Sequence, residues 1–458
     1  VSSSQPLPDR SPARRKRSVC PRLGPLGVAL AASLAVPVVT PTPAVSAEVP
    51  AGAASAPTIE EQRLDRPVPQ ELLRRSGFDV LGPRFAKALA GAESYEDAER
   101  VVAGRGSALW QRAVERVQGR KAASGDLSRD DDRPLYWARL TMTRELRGWT
   151  PQFELTDTQR AALFRTLETT SRGQDDVRYP GGGDGADGAD GAANDRRRDA
   201  AHGIKRILLT GFDPFTLDRD IRISNPSGAA ALALDGTVIE TADGPARVET
   251  VVFPVRWADF GEQAVERALA PHLPDVDLFT TVSQGRKGKF DIERTNGAWR
   301  GGFGDNDNLS RTETVPVSDP ATQPQWTSTT LPYKEITEAD TGRYPVYDNR
   351  QVTEIPAGGT EPVVRPDGPT EDSTARAGGG GDYLSNEIAY RATLLRDRLG
   401  LDTLPGGHVH TPVLEFGPGN TDPATGTVTD PDFLRNRADI VAQVGEILRV
   451  AVEAQTRR

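Results

Sequence analysis

Residues 378–391, GGGGDYLSNEIAYR, run from a glycine stretch through Asp382, Tyr383 and Leu384 to Ser385, and then continue at helical spacing. That pattern sets Ser385 at a helix N-terminus, where unpaired backbone N–H groups and the positive end of the helix dipole favour a reaction partner that develops negative charge. The same position suits an ordinary N-cap, and residue type alone leaves Ser385 and Asp382 open to either reading. Histidine is the other chemistry-bearing type. The chain has four: His202, His272, His408 and His410. In GGHVHTP, strand alternation sends His408 and His410 to one face, where two imidazoles can share a cation or one can serve as a base. With no obvious third ligand, no metal is expected. His202 and His272 read as surface residues.

The frame that must position these groups begins near residue 204. KRILLTGF (205–212) is an apolar, β-branched run ending in glycine and phenylalanine, which reads as a buried parallel strand opening onto a loop. After DPFTLDRDIRIS, Asn225 caps and Pro226 starts an alanine-rich helix. A strand at 247–255, a helix at 257–270 and a strand at 276–283 follow. This alternation predicts an α/β fold, a mostly parallel sheet sandwiched by helices, with its site at the carboxyl ends of the strands. Residues 333–377 are rich in Pro, Gly and Thr and read as irregular loops with a hairpin around VYDNRQV.

Upstream, residues 48–172 read as an independent all-α domain. Ala98, Val101, Val102, Leu109, Trp110, Val114 and Val117 recur at helical spacing, and Thr156 or Asp157 caps a later helix. Between the two halves, residues 173–203 are rich in glycine and aspartate. Asp184, Asp187 and Asp190 recur every third residue, a period that fits neither the EF-hand loop nor the nine-residue calcium repeat, so a solvated linker is expected.

The first 47 residues have a basic start (Arg14, Arg15, Lys16, Arg17), an apolar run over 23–39 and small residues ending at Ala47, the layout of a secretory signal. The Arg14-Arg15 pair permits a twin-arginine route without establishing it. Export is therefore expected, with no membrane anchorage after cleavage near Glu48. The lone Cys20 would leave with the signal, so the mature chain would hold no disulfide and no cysteine nucleophile. A net charge of -9, with charges spread along the chain, argues against nucleic acid as the main partner.

ILLTGFDPF with its following NPS, then QGR leading to IERTN, then DYLSN opening a helix, then GGHVHTP, resemble in residues and in order the pyroglutamyl peptidase I family, also called pyrrolidone-carboxylate peptidase. The resemblance covers about residues 204–452. It implies a parallel α/β sheet sandwiched by helices and the removal of N-terminal pyroglutamate from peptides by a Glu, Cys and His triad. Position by position, it puts the glutamate on Glu293, the cysteine on Ser385 and the histidine on His410. Phe212 and Phe215 fall where two phenylalanines flank the lactam ring, and Tyr383 and Leu384 where an aromatic-aliphatic pair precedes the nucleophile. Two departures stand out: serine replaces the cysteine, and Thr216 stands where PFG is usual. A thiol can be stored as thiolate, whereas a serine hydroxyl must lose its proton as it attacks.

These residues lead to the expectation of an apolar pocket for an uncharged lactam, with no carboxylate aimed at a peptide N-terminus and selectivity from backbone groups. Ser385 would attack, His410 take its proton and Glu293 orient the imidazole, with no cofactor. Two alternatives remain: a relative without turnover that binds modified peptide ends, and a serine hydrolase of other acyl specificity. Glu293 also admits a plain ion pair with Arg294 or a neighbour.

Overall fold

The computed structural model describes residues 56–122, 124–179 and 203–455. The signal segment, the aspartate-glycine run with Asp184, Asp187 and Asp190, and His202 lie outside the described residues. Among the described residues, no helix is long and apolar enough to cross a membrane.

The α/β half is built on β1 (Lys205–Phe212), buried from Arg206 onward. Its alternate residues serve two faces. Ile207 and Leu209 pack with Ile440, Val444 and Ile447, whereas Leu208 packs with Leu384 and Ile388. Burial on both sides is what a continuous apolar run demands, and it makes the sheet the middle of a sandwich. The chain continues through α7 (Pro226–Leu234), β2 (Thr237–Thr241), β3 (Gly244–Phe253), α8 (Trp257–Gly261), α9 (Ala264–Leu269), β4 (Leu278–Gln284) and β5 (Phe290–Glu293). Then come two short ribbons, β6 (Thr295–Gly297) with β9 (Trp326–Ser328) and β7 (Trp299–Arg300) with β8 (Glu313–Thr314). After α10 (Tyr333–Glu338) come β10 (Val346–Asn349), β11 (Val352–Ile355), β12 (Val363–Arg365) and β13 (Thr374–Ala377). The nucleophile-candidate helix α11 (Leu384–Arg398), β14 (Gly406–Thr411) and α12 (Pro431–Glu453) close the chain.

The main sheet has the order β10-β5-β14-β4-β1-β3-β2. Strands β14, β4, β1 and β3 run parallel to one another, β5 runs antiparallel to β14, and β2 turns back on β3 as a hairpin strand that residue periodicity did not announce. The expected α/β, mostly parallel sheet flanked by helices is therefore present. Asn225 caps α7 as expected, its Oδ1 accepting from the Ser227 N–H at 3.1 Å, with Pro226 in the first turn. The helix expected over 257–270 is interrupted at Gln263, whose φ of 62° breaks the α-helical path between α8 and α9.

Residues 333–377 correct the expectation of loops with a hairpin at VYDNRQV. β10 adds to the edge of the main sheet parallel to β5, and β11 leaves it to pair with β12 and β13 in a separate antiparallel sheet. The reason lies in Glu354. Its buried carboxylate accepts from Arg365 Nε at 2.7 Å and from the Thr370 N–H at 2.6 Å, so β11 is drawn to the segment that carries those donors.

The upstream helices are α1 (Ile59–Gln62), α2 (Pro67–Ser76), α3 (Leu81–Leu89), α4 (Tyr95–Val117), α5 (Arg133–Gly148) and α6 (Asp157–Thr170). Thr156 caps α6 through a reciprocal capping box with Gln159. These helices do not stand apart. The described residues fall in one compact unit, Gly52–Arg458, and the helical core cluster includes Leu217, Ala231, Leu232, Val252 and Val428 from the α/β half. The strongest tie is ionic. Arg139 of α5 and Arg172, just past α6, both bond the buried carboxylate of Asp213 in the loop after β1, with contacts of 2.8–3.1 Å. A second tie holds the 301–309 loop: Arg63 donates to the Asn306 carbonyl, and Asn306 Nδ2 donates to the Pro214 carbonyl at 2.9 Å. The helical region thus anchors two loops that border the cavity described next.

Candidate active site

The site lies at the carboxyl end of the parallel strands, as open α/β sheets arrange it. β14 brings His410 beside β5, where Asp291 is its register partner and Glu293 lies one pleat along on the diagonal. His410 Nδ1 is 2.7 Å from Glu293 Oε1, and both side chains are buried. Arg294 instead pairs with Asp348 at 3.1 Å, so the alternative of a Glu293–Arg294 ion pair is not what forms. Glu293 has a second partner that sequence reasoning missed. Asn349, the last residue of β10, donates through Nδ2 to Glu293 Oε2 at 2.7 Å and to the Gly379 carbonyl at 2.9 Å.

Ser385 occupies the second position of α11 and is partly buried. The N-cap is Tyr383, with no side-chain cap bond, so neither Ser385 nor Asp382 is spent on capping. The Ser385 hydroxyl donates to the Gly380 carbonyl at 3.1 Å. Leu384 and Ser385 carry two of the first-turn N–H groups that lack an intrahelical acceptor. Asn386 pins this turn: its Oδ1 accepts from the Gly297 N–H at 2.9 Å, and its Nδ2 donates to the Gly297 and Trp299 carbonyls at 2.9 and 2.8 Å.

The glycine run has a steric role. A Cβ on Gly379 would come within 2.2 Å of Glu293 Oε2, and one on Gly380 within 3.0 Å of His410 Cε1. The backbone therefore lies directly against the carboxylate and the imidazole, a closeness only glycine permits.

Ser385, His410 and Glu293 line one cavity of about 310 Å³, together with Phe212, Phe215, Tyr383 and Leu384. All seven residues singled out in the sequence thus meet in one place. Phe212 is stacked on Phe260 at 6.1 Å and belongs as much to the core as to the cavity. Phe215 stacks on Tyr383 at 6.2 Å. Phe303, which no motif marked because it sits in a Gly-Asp-Asn loop, stacks on Tyr383 at 4.2 Å and is half exposed at the rim. Thr216, at the position where glycine is usual, has φ 58°, the left-handed region that a β-branched residue enters at a cost. The backbone path that favours glycine is kept without the glycine.

The cavity departs from the expected apolar pocket by also carrying Asp291 and Asp382. Asp291 is engaged by Lys289 at 2.7 Å. Asp382 is half-buried, and that burial raises its carboxyl above the usual range. His408, the second histidine of the pair, has both ring nitrogens occupied, 2.8 Å from Thr281 Oγ1 and 2.8 Å from Ser283 Oγ. Burial, and then neighbouring His410, hold its pKa well below the usual imidazole value, so it is a neutral packing group. Among the described residues, no group of three or more His, Cys, Asp or Glu side chains is arranged to hold a metal.

Two family models match: the PA0049 N-terminal domain over residues 42–168, and the PA0049 C-terminal domain over residues 206–322 and 344–415. Among solved structures, a mutant pyrrolidone carboxyl peptidase from Pyrococcus furiosus is 22% identical, with 54% of this chain and 99% of that chain covered and a TM-score of 0.36. The pyroglutamyl peptidase I from Bacillus amyloliquefaciens is 20% identical, with 54% and 96% covered and a TM-score of 0.35. Among curated proteins, the uncharacterized protein PA0049 of Pseudomonas aeruginosa is 33% identical, over 87% of this chain and 87% of that protein. At that identity and extent, and with both halves matched, the chain belongs to the PA0049 family.

Proposed function

We propose that this protein is an exported hydrolase that removes N-terminal pyroglutamate from peptides through an acyl-enzyme on Ser385. The observation that carries this reading is the 2.7 Å bond between His410 Nδ1 and Glu293 in the cavity that Ser385 also lines. A carboxylate accepting the Nδ1 proton fixes the tautomer whose Nε2 is free to take a proton. The Ser385 hydroxyl turns from the Gly380 carbonyl toward that nitrogen, and its oxygen attacks the pyroglutamyl carbonyl as the proton passes to His410. Helix-start N–H groups of α11 hold the oxyanion, and collapse expels the peptide amine, which takes the proton back. Water, activated by the same imidazole, then releases pyroglutamate. The uncharged lactam suits the aromatic wall of Phe215, Tyr383 and Phe303.

A second reading, a peptide-end binder without turnover, draws on one observation: the Ser385 hydroxyl is donated to Gly380, not to His410. A fluorogenic pyroglutamyl amide, with a prolyl amide as control, separates the two. Hydrolysis of the first and not the second by the unaltered protein is the expected result. Activity appearing only in Ser385→Cys would replace the enzyme with the binder. Cleavage of the prolyl amide alone would leave the machinery and remove the substrate.

Asn349 supplies a further expectation. It holds Glu293 from the side opposite His410, and a hydrogen bond to a charged group contributes about 1.5–3 kcal/mol. Asn349→Ala should therefore lower kcat on the order of tenfold or more with little change in KM, as for a residue that orients the machinery without touching substrate. Unchanged kcat would show that Glu293 is held well enough by His410 alone.

A further inference from the structure

A second cavity, of about 370 Å³, lies in the helical region, walled by α3, α4 and the chain just beyond α4. Its floor is apolar: Phe78, Phe85, Leu109 and Met142 are all buried. Around that floor stand Arg84, Arg105, Arg112 and Arg116. Among the described residues none of the four makes an ion pair with a carboxylate. Glu115, which also lines the cavity, is taken by Lys121 at 2.7 Å, and the buried Asp131 that acts on Arg116 is bonded to Arg133 and Arg437. In a chain of net charge -9, four guanidinium groups around one hollow, none bonded to a carboxylate among the described residues, are a local reversal of sign.

Arg116 gives the hollow its second, independent mark. It is 5% exposed, and two of its nitrogens donate to the carbonyls of Arg129 and Leu127 at 2.6 and 2.8 Å. Its Nε is buried with no partner. A buried donor left unmatched is costly, and an incoming acceptor removes that cost. Arg112 is fixed as well, donating to the Gly77 carbonyl at 2.9 Å with its guanidinium over the Phe78 ring. Two guanidiniums held in place and two exposed at the mouth suit an anionic oxygen group, which arginine forks bind in preference to other heads.

We propose that this hollow is a binding site for a small anionic amphiphile, a carboxylate or phosphate head on an apolar body, separate from the Ser385 cavity. The head lies among the four arginines and the body on Phe78, Phe85, Leu109 and Met142. The volume is within the span of small-molecule sites, about 300–1,000 Å³.

Calorimetric titration of the full chain with octanoate and octyl phosphate tests this, with octan-1-ol, octylamine and acetate as controls for charge and tail. The expected result is one-to-one binding of both anionic amphiphiles, weakened by added salt, with each control at least tenfold weaker. Arg84→Glu combined with Arg105→Glu changes only exposed side chains and should weaken octanoate about tenfold or more. Octan-1-ol or octylamine binding as tightly as octanoate would overturn the proposal. So would octanoate failing to bind, or binding the double variant as it binds the unaltered chain, since occupancy of the Ser385 cavity would be indifferent to residues 84 and 105.

Discussion

Ser385→Ala is expected to lower kcat/KM for a pyroglutamyl amide on the order of a thousandfold or more, while the protein folds and still binds the product pyroglutamate. The fold has little at stake. The hydroxyl makes one bond, to the Gly380 carbonyl at 3.1 Å, worth about 1 kcal/mol net, and it does not cap α11. The chemistry has everything at stake, because a thousandfold is about 4 kcal/mol of barrier and comes from losing the covalent path itself. In the proposed function, product binding rests on the Phe215–Tyr383–Phe303 wall, which the substitution leaves in place. Intact-mass measurement during turnover should reveal an acyl adduct on the unaltered chain that Ser385→Ala lacks. A variant that hydrolyses within tenfold of the original would move the attack to a water molecule and leave Ser385 with a structural part.

What the sequence disclosed and what it hid divide along physical lines. Local rules announced β1, because a mostly apolar run needs burial on both faces, and announced Asn225 as one cap and Thr156 or Asp157 as another, of which Thr156 is the one that forms. The order of short motifs disclosed Glu293, Ser385 and His410, which line one cavity, with Glu293 and His410 in contact at 2.7 Å. Asn349 stayed hidden because its importance depends on β10 joining β5 in parallel, a pairing between distant segments of unremarkable composition. Phe303 stayed hidden for a similar reason: only tertiary stacking on Tyr383 tells it from any exposed loop aromatic. Arg139 and Arg172 carried no signal of their own: arginine is ordinarily a solvated residue, yet both are about 99% and 98% buried, and the partner that makes this tolerable, Asp213, is more than forty residues further along. A helical region read as separate is, by that ionic contact and the shared core, part of the frame around the site.

Asp213→Ala is accordingly expected to destabilise the chain by about 3–5 kcal/mol, the range for removing one member of a buried charge cluster. The carboxylate accepts from Arg139 and Arg172 together, and without it Arg172 keeps its ion pair with Glu168 while Arg139 is left buried with only Ser171 as its hydrogen-bond partner. Burial works against the carboxylate's charge, but Arg139 and Arg172 outweigh it and hold the Asp213 pKa below the usual aspartate value. Arg139 is itself shifted downward by burial and by Arg172, yet it stays charged, since a guanidinium starts far above the neutral range. A depressed carboxylate pKa fixes the sign: the stabilisation is complete above the unfolded value, about 3.9, and is lost as pH falls from there through the folded value. Urea midpoints at pH 7 should therefore drop strongly in Asp213→Ala, and the gap between variant and original should narrow below pH 4. Because Asp213 stands between Phe212 and Phe215, the variant should also lose affinity for the lactam at urea concentrations where it remains folded. A pH-independent gap would mean that packing, and not charge, joins the helices to this loop. Equal stability at pH 7 would mean that the two arginines find other partners, and that the helical region does not brace the site.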